Sequence, residues 1–102
     1  MIYLKQYSTP NGTILAMCDE ELIGRTLKGE GTELDLDKYS GFYKGELVDE
    51  AKAREMIDED LYSANVVGER SMLIVVDKGL VKKDEIKAIS NVPFVQIFKV
   101  SY

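Results

Sequence analysis

The stretch AMCDEELIGRTL, residues 16–27, gathers the side chains best equipped for chemistry. Cys18 is the only cysteine in the chain, and Asp19, Glu20 and Glu21 follow it directly. A thiol at a helix start could act as a nucleophile, because the N-terminal end of a helix favours the thiolate. Three adjacent carboxylates oppose that, since like charge nearby disfavours ionisation. No lysine or arginine adjoins them to offset this. The expected state is a protonated, weakly nucleophilic thiol buried at the end of a strand. The acids could also offer oxygen ligands to Mg²⁺, but successive helical side chains point about 100° apart and do not converge unaided. Helix capping and dipole compensation account for them without a ligand. Cys18, Asp19 and Glu21 stand as the site of an alternative reading, a small enzyme or ligand-binding protein.

The rest of the chain narrows the chemistry by what it lacks. There is no histidine among its 102 residues, which removes Ser-His-Asp and Cys-His nucleophilic sites and His-containing zinc sites. A single cysteine makes neither an intramolecular disulfide nor an all-thiolate metal cage, and it fits a reducing cytosol. Neither a G-x-x-x-x-G-K-[ST] nor a G-x-G-x-x-G pattern is present, and EF-hand spacing is missing. No cofactor or metal is expected, and a non-catalytic role leads over an enzyme.

A second constellation points to binding. In KYSGFYKG, residues 38–45, Lys38 and Lys44 bracket Tyr39, Phe42 and Tyr43. Rings that stack on bases beside cations are a common device of single-strand RNA binders. The competing reading is that these rings plug the edge of a small core. Arg70 in NVVGER, with Lys82, Lys83 and Lys87, would add supporting charge, although a structural turn and a solvated helix face are the commoner meanings of such residues. The formal net charge is −5. Residues 1–51 carry five basic and ten acidic side chains, while residues 61–102 carry six basic and four acidic. Bulk acidity argues against non-specific phosphate binding but leaves room for a local patch.

These residues must be positioned by a small set of elements. Residues 2–8 and 13–18 read as two strands joined by a tight turn at Pro10, Asn11 and Gly12. Ile14, Ala16 and Cys18 would share one face of the second strand, and Leu15 and Met17 the other. A short helix is expected over 20–28 with Asp19 as its N-cap, then a strand over 33–36 and a loop over 37–46. A second helix is expected over 49–59, capped by Asp49, with a Glu50–Arg54 pair outward. Strands follow over 62–67 and at the apolar run Met72 to Val76. A third helix over 80–90 presents Lys82, Lys83 and Lys87 to water, and NVPFVQIFKV closes the chain as a strand. The strand–helix–strand segment at the end has enough chain for a parallel crossover. The fold class is α+β: one domain over residues 1–102, with a mixed, mostly antiparallel sheet of five to seven strands and about three helices packed mainly on one face. No apolar run approaches the ~20 residues needed to span a membrane, and no signal peptide is apparent.

YLKQYSTPNGTILAMCDEELIGRTL, FYKGELVDEAKA, SANVVGER and VPFVQIFKV together resemble the archaeal family called domain of unknown function 424. Its most specific parts are the Cys-Asp-x-Glu-Leu-hydrophobic-Gly segment and the Asn-hydrophobic-hydrophobic-Gly segment. The resemblance implies an archaeal, cytoplasmic, single-domain protein with a link to RNA-binding and translation-related proteins, and it carries over no catalytic residue. The leading expectation is a non-catalytic binding module for RNA or ribosome-associated machinery. Its contacts would be Lys38, Phe42, Tyr43 and Lys44, supported by Arg70, Lys82, Lys83 and Lys87. An acidic protein–protein adaptor, or a homodimer paired through the N-terminal hairpin, is a third reading.

Overall fold

The expected N-terminal hairpin forms, with its turn where Pro10, Asn11 and Gly12 put it. In the computed structural model, which describes residues 1–29, 31–57 and 61–98, β1 (Ile2–Thr9) pairs antiparallel with β2 (Gly12–Asp19). The Thr9 hydroxyl accepts the Asn11 N–H at 3.2 Å and donates to the Gly12 carbonyl at 2.6 Å. Gly12 holds φ at 128°, a value L side chains rarely adopt. Alternation then splits β2 between two cores. Leu15 and Met17 enter one, and Ala16 and Cys18 the other.

A 3₁₀ turn at Glu20–Leu22 leads into a second hairpin, β3 (Thr26–Gly29) with β4 (Thr32–Asp35). The expected helix over 20–28 is therefore corrected to one turn and a strand. Ile23 is already extended and Gly24 sits at φ 88°, so the chain leaves helical space there. The segment expected as loop holds a four-residue helix, α1 (Ser40–Tyr43), before β5 (Glu46–Val48). Gly45 lets β5 approach β1, since a Cβ there would run into the Leu4 carbonyl and the Lys5 Cβ. Helix α2 (Glu50–Met56) starts at Asp49, whose side chain accepts the Lys52 N–H at 2.8 Å. The expected continuation to residue 59 passes beyond Ile57, already extended, to positions outside the described residues.

Strand β6 (Leu61–Val67) matches expectation, but the apolar run after it does not form a strand. Residues Glu69–Asp77 are a helix, α3, with Ser71, Met72, Ile74 and Val75 buried. Its end is a Schellman motif. Gly79, at φ 71°, donates to the Val76 carbonyl, and Leu80 donates to that of Val75. The expected third helix over 80–90 is corrected as well. It resolves into a 3₁₀ turn at Lys83–Glu85 and a strand, β7 (Lys87–Ile89). A two-residue turn, Ser90 at φ 51° and Asn91 at φ 64°, returns the chain as β8 (Val92–Phe98). Positive φ at both central positions is the geometry that matches hairpin twist. The strand expected to reach Val100 passes outside the described residues after Phe98.

The six-stranded sheet runs β5-β1-β2-β6-β8-β7, mixed and mostly antiparallel, beside the two-stranded β3-β4 hairpin. Parallel pairing falls instead between β2 and β6, and the crossover expected between Met72–Val76 and the closing strand is absent because the first of these is helix α3 and the segment between them holds no α-helix. Helices α2 and α3 cover one face over Ile2, Leu4, Leu15, Met17, Val66 and Ile97. The 3₁₀ turn at 20–22, the β3-β4 hairpin and α1 cover the other through Leu22, Leu27, Leu36 and Tyr43. The N-terminal hairpin is interior to the sheet, flanked by β5 and β6. Homodimer pairing through it is therefore corrected: its edges are already taken, and the sheet's own edges are β5 and β7.

Candidate functional site

Asp19 ends β2 with its side chain buried at 3% exposure. It caps a helix, but not the one that follows it. Its Oδ2 accepts the Arg70 N–H at 3.1 Å, and its Oδ1 accepts both the Ser71 N–H at 2.9 Å and the Ser71 hydroxyl at 2.8 Å. The parallel pairing of β2 with β6 makes this possible, because it sets Cys18 beside Val67 and delivers Asp19 to the first turn of α3. A carboxylate there satisfies otherwise unpaired N–H groups and complements the helix dipole. Gly68 is required at the junction. It sits at φ 107°, donates to the Pro93 carbonyl at 2.8 Å, and a Cβ on it would collide with the Asp19 carboxylate.

Cys18 lies one residue earlier, facing the other core and fully buried. Burial pushes its thiol up to about 12, reinforced by the negative charge of Asp19 and Glu21. Its Sγ donates to the Asp19 carbonyl at 3.4 Å. Glu21 turns outward and pairs with Arg70 at 2.6 Å. Its carboxyl is held below the usual range by its own backbone N–H first and then by Arg70. Asp19 and Glu21 do share a cleft of about 290 Å³ with Arg25, Arg70, Asn91 and Pro93, but Cys18 does not line it. In that cleft the Asp19 oxygens are committed to α3 and Glu21 to Arg70.

The aromatic segment around α1 divides its rings between core and surface. Tyr43 is buried, and burial pushes its hydroxyl up to about 12, with a smaller contribution from Cys18. Phe42 is half-buried and lies flat against Tyr7 of β1, ring centroids 5.4 Å apart and planes 5° from parallel. The Tyr7 hydroxyl donates to the Phe42 carbonyl at 2.9 Å. Tyr39 instead stands in solvent at 52% exposure, with the Lys38 ammonium 5.5 Å from its ring centre. Asp35 sets the turn before it, accepting the Lys38 N–H at 2.8 Å and the Asp37 N–H at 3.1 Å. Lys44 is exposed at the far end of α1. Lys5 of β1 reaches the Gly41 carbonyl at 3.2 Å and lies 5.3 Å from the Tyr7 ring centre.

Lys5 and Tyr7 were absent from the sequence-derived set. The signal that could have found them is the alternation Tyr3, Lys5, Tyr7 along β1, in register with Cys18, Ala16 and Ile14 of β2. The basic residues expected to support the loop lie elsewhere. Arg70 is engaged by Glu21 at the start of α3. Lys83 borders an apolar groove formed by Met72, Leu73, Val76, Ile86 and Pro93 beside that helix, and Lys82 precedes it. Lys87 lies on β7, at the sheet edge opposite β5 and β1. Four strand-to-strand steps separate β1 from β7, or about 19 Å. The eight candidate residues thus form no single patch. Arg54, expected to pair with Glu50, pairs with Asp77 at 2.7 Å and ties α2 to α3.

A family model described as "Protein of unknown function (DUF424)" matches residues 7–100. Among solved structures, one titled "Crystal structure of an uncharacterized conserved protein from Methanopyrus kandleri" is similar over 99% of this chain and 96% of that one. The two are 31% identical with a TM-score of 0.77, which confirms the α+β architecture. No curated protein matches. Among the described residues, no helix is long and apolar enough to cross a membrane.

Proposed function

We propose that this chain, which belongs to the DUF424 family, is a non-catalytic binding module whose partner is RNA. The observation that carries the reading is Tyr39: an exposed ring with an ammonium beside it, on a turn that Asp35 organises. Lys44 and Lys5 add two cations around the same short helix. An exposed ring supplies a stacking surface for an unpaired base, and neighbouring cations neutralise phosphates. The rest of the molecule is acidic enough, at net −5, to discourage indiscriminate contact with nucleic acid. Binding is therefore local, directed at unpaired segments such as ribosomal RNA presents, and sensitive to salt. The test is co-sedimentation of purified protein with ribosomal fractions at low salt, with and without nuclease. Pelleting that nuclease abolishes supports the proposal. Absence of any RNA-dependent association at low salt refutes it.

A further inference from the structure

We infer that the uncovered end of the sheet face beside α1 is the surface on which unpaired RNA bases stack and are read. This rests on the proposed RNA reading and assigns the residues that would distinguish one base from another.

The strand registers align side chains into rows across the four central strands. The row Tyr3, Cys18, Val67 and Phe94 sits at the end of this face roofed by Leu22, Leu27, Leu36 and Ile89. Further along the strands comes the row Lys5, Ala16, Asn65 and Gln96, and then the row Tyr7, Ile14, Ser63 and Phe98. Directly paired residues point to the same side of a sheet, so each row lies on one face. In these last two rows Ala16 and Ser63 are buried and Tyr7 packs on Phe42, while among the described residues the β8 end is left open. Phe98 is 68% exposed, Gln96 is exposed, and Asn65, Ile14 and Tyr7 are half-buried.

The outermost row makes a slot with two aromatic walls. Tyr7 and Phe98 stand three strand steps apart, about 14 Å, over a floor of Ile14 and the small Ser63. The Tyr7 wall is fixed by its stack on Phe42 and by its hydroxyl's hydrogen bond to the Phe42 carbonyl. Behind the slot, Gln96 Nε2 donates to Asn65 Oδ1 at 3.0 Å. That bond engages one donor and one acceptor of two amides. Each amide holds two donors and an acceptor, so both kinds of group remain for the edge of a nucleobase.

Charge and size choose the occupant. These two rows contain no carboxylate and one cation, Lys5, in a chain of net −5, with Lys38 and Lys44 on the adjoining α1 turn. That is complementary to a polyanion. The open band covers at most about 100–200 Å², the limit set by ~14 Å across and ~7–14 Å along the strands. A stable protein interface needs ~800 Å² per partner, so a second copy of this chain is poorly served, whereas one or two stacked bases fit.

The test is fluorescence anisotropy with labelled single-stranded RNA decamers of different base composition, comparing wild type with Phe98→Ala, Phe98→Trp, Asn65→Ala and Gln96→Ala. Phe98→Ala is expected to weaken binding roughly 5- to 100-fold, the range for loss of one stacked base, and Phe98→Trp to restore it. Gln96→Ala and Asn65→Ala are expected to change the ranking among decamers while the salt dependence of binding stays as in wild type. If Phe98→Ala and both amide variants bind as wild type while Tyr39→Ala does not, the sheet assignment is overturned and the RNA reading stands. If wild type binds no RNA, both fall. A concentration-dependent dimer mass lost in Phe98→Ala would give the face to a second copy and overturn the inference.

Discussion

Asp19 Oδ1 accepts two hydrogen bonds from Ser71, 52 residues downstream, one from its backbone N–H and one from its hydroxyl. This contact joins the end of β2 to the start of α3 and gives the Cys-Asp segment a structural purpose. Removing the carboxylate leaves buried donors unpaired at a helix N-terminus. Asp19→Ala is expected to cost about 1–3 kcal/mol and to lower the melting temperature by roughly 5–15 °C. Circular dichroism melts check it, and an unchanged melting temperature contradicts it.

Gly68 and Asp19 are coupled by contact. Gly68→Ala forces a Cβ into the Asp19 carboxylate at a backbone φ of 107°. Removing the carboxylate removes the collision but not the backbone strain. The double variant Asp19→Ala/Gly68→Ala should therefore be more stable than the sum of the two single losses predicts, by about 0.5–3 kcal/mol. Denaturant titrations of the four proteins measure the difference; strict additivity counts against the collision.

The way Asp19 is used also explains which parts of this fold can be read in the sequence. The hairpin at Pro10–Asn11–Gly12 is legible because turn chemistry and alternation agree locally, as is α2, whose cap Asp49 adjoins it. Helix α3 is not, because its cap is supplied by Asp19 from another strand, leaving an unbroken apolar run Met72 to Val76 that suits a buried strand equally. Gly79 after Lys78 was the local sign of a helix end. The spacing of Leu80, Ile86 and Ile89 imitated a helix and hid the Ser90–Asn91 turn, a pair less telling than Asn-Gly. At the candidate site, the sequence marked the α1 turn, but Tyr43 went to the core, while the contribution of Lys5 and Tyr7 depends on register, which only pairing reveals.

Cys18 should be inert in the native protein. Its thiol is buried and pushed up to about 12, against ~8.5 in an unfolded chain. Because the folded value is the higher one, the associated stability is fully present below the unfolded value and is lost as pH rises from about 8.5 toward about 12. Thiol labelling at pH 8 is expected only after denaturation, and Cys18→Ala should flatten the alkaline loss of stability. Rapid labelling of native protein would contradict the buried assignment and reopen a nucleophilic role.

Asp35 governs the turn that presents Tyr39. Its carboxyl is held below the ordinary range by the Lys38 N–H first, then by the Asp37 N–H and the Thr26 hydroxyl. A depressed folded value means the contribution is present above the unfolded value of ~3.9 and is lost as pH falls through the folded one. Asp35→Ala is expected to speed amide exchange at Asp37 and Lys38 at neutral pH and to weaken RNA binding, leaving the α2–α3 core protected. Unchanged exchange at both amides would show that the turn does not depend on this carboxylate.

The most direct measurement is the affinity of wild type and Tyr39→Ala for a single-stranded RNA decamer, titrated by anisotropy at stepped salt concentrations. The account predicts measurable binding at low salt that falls steeply as salt rises, and a roughly 5- to 100-fold loss in Tyr39→Ala with its fold intact by circular dichroism. Absence of wild-type binding at low salt, or equal affinity of the two proteins, would contradict the claim that the α1 turn is an RNA-binding surface.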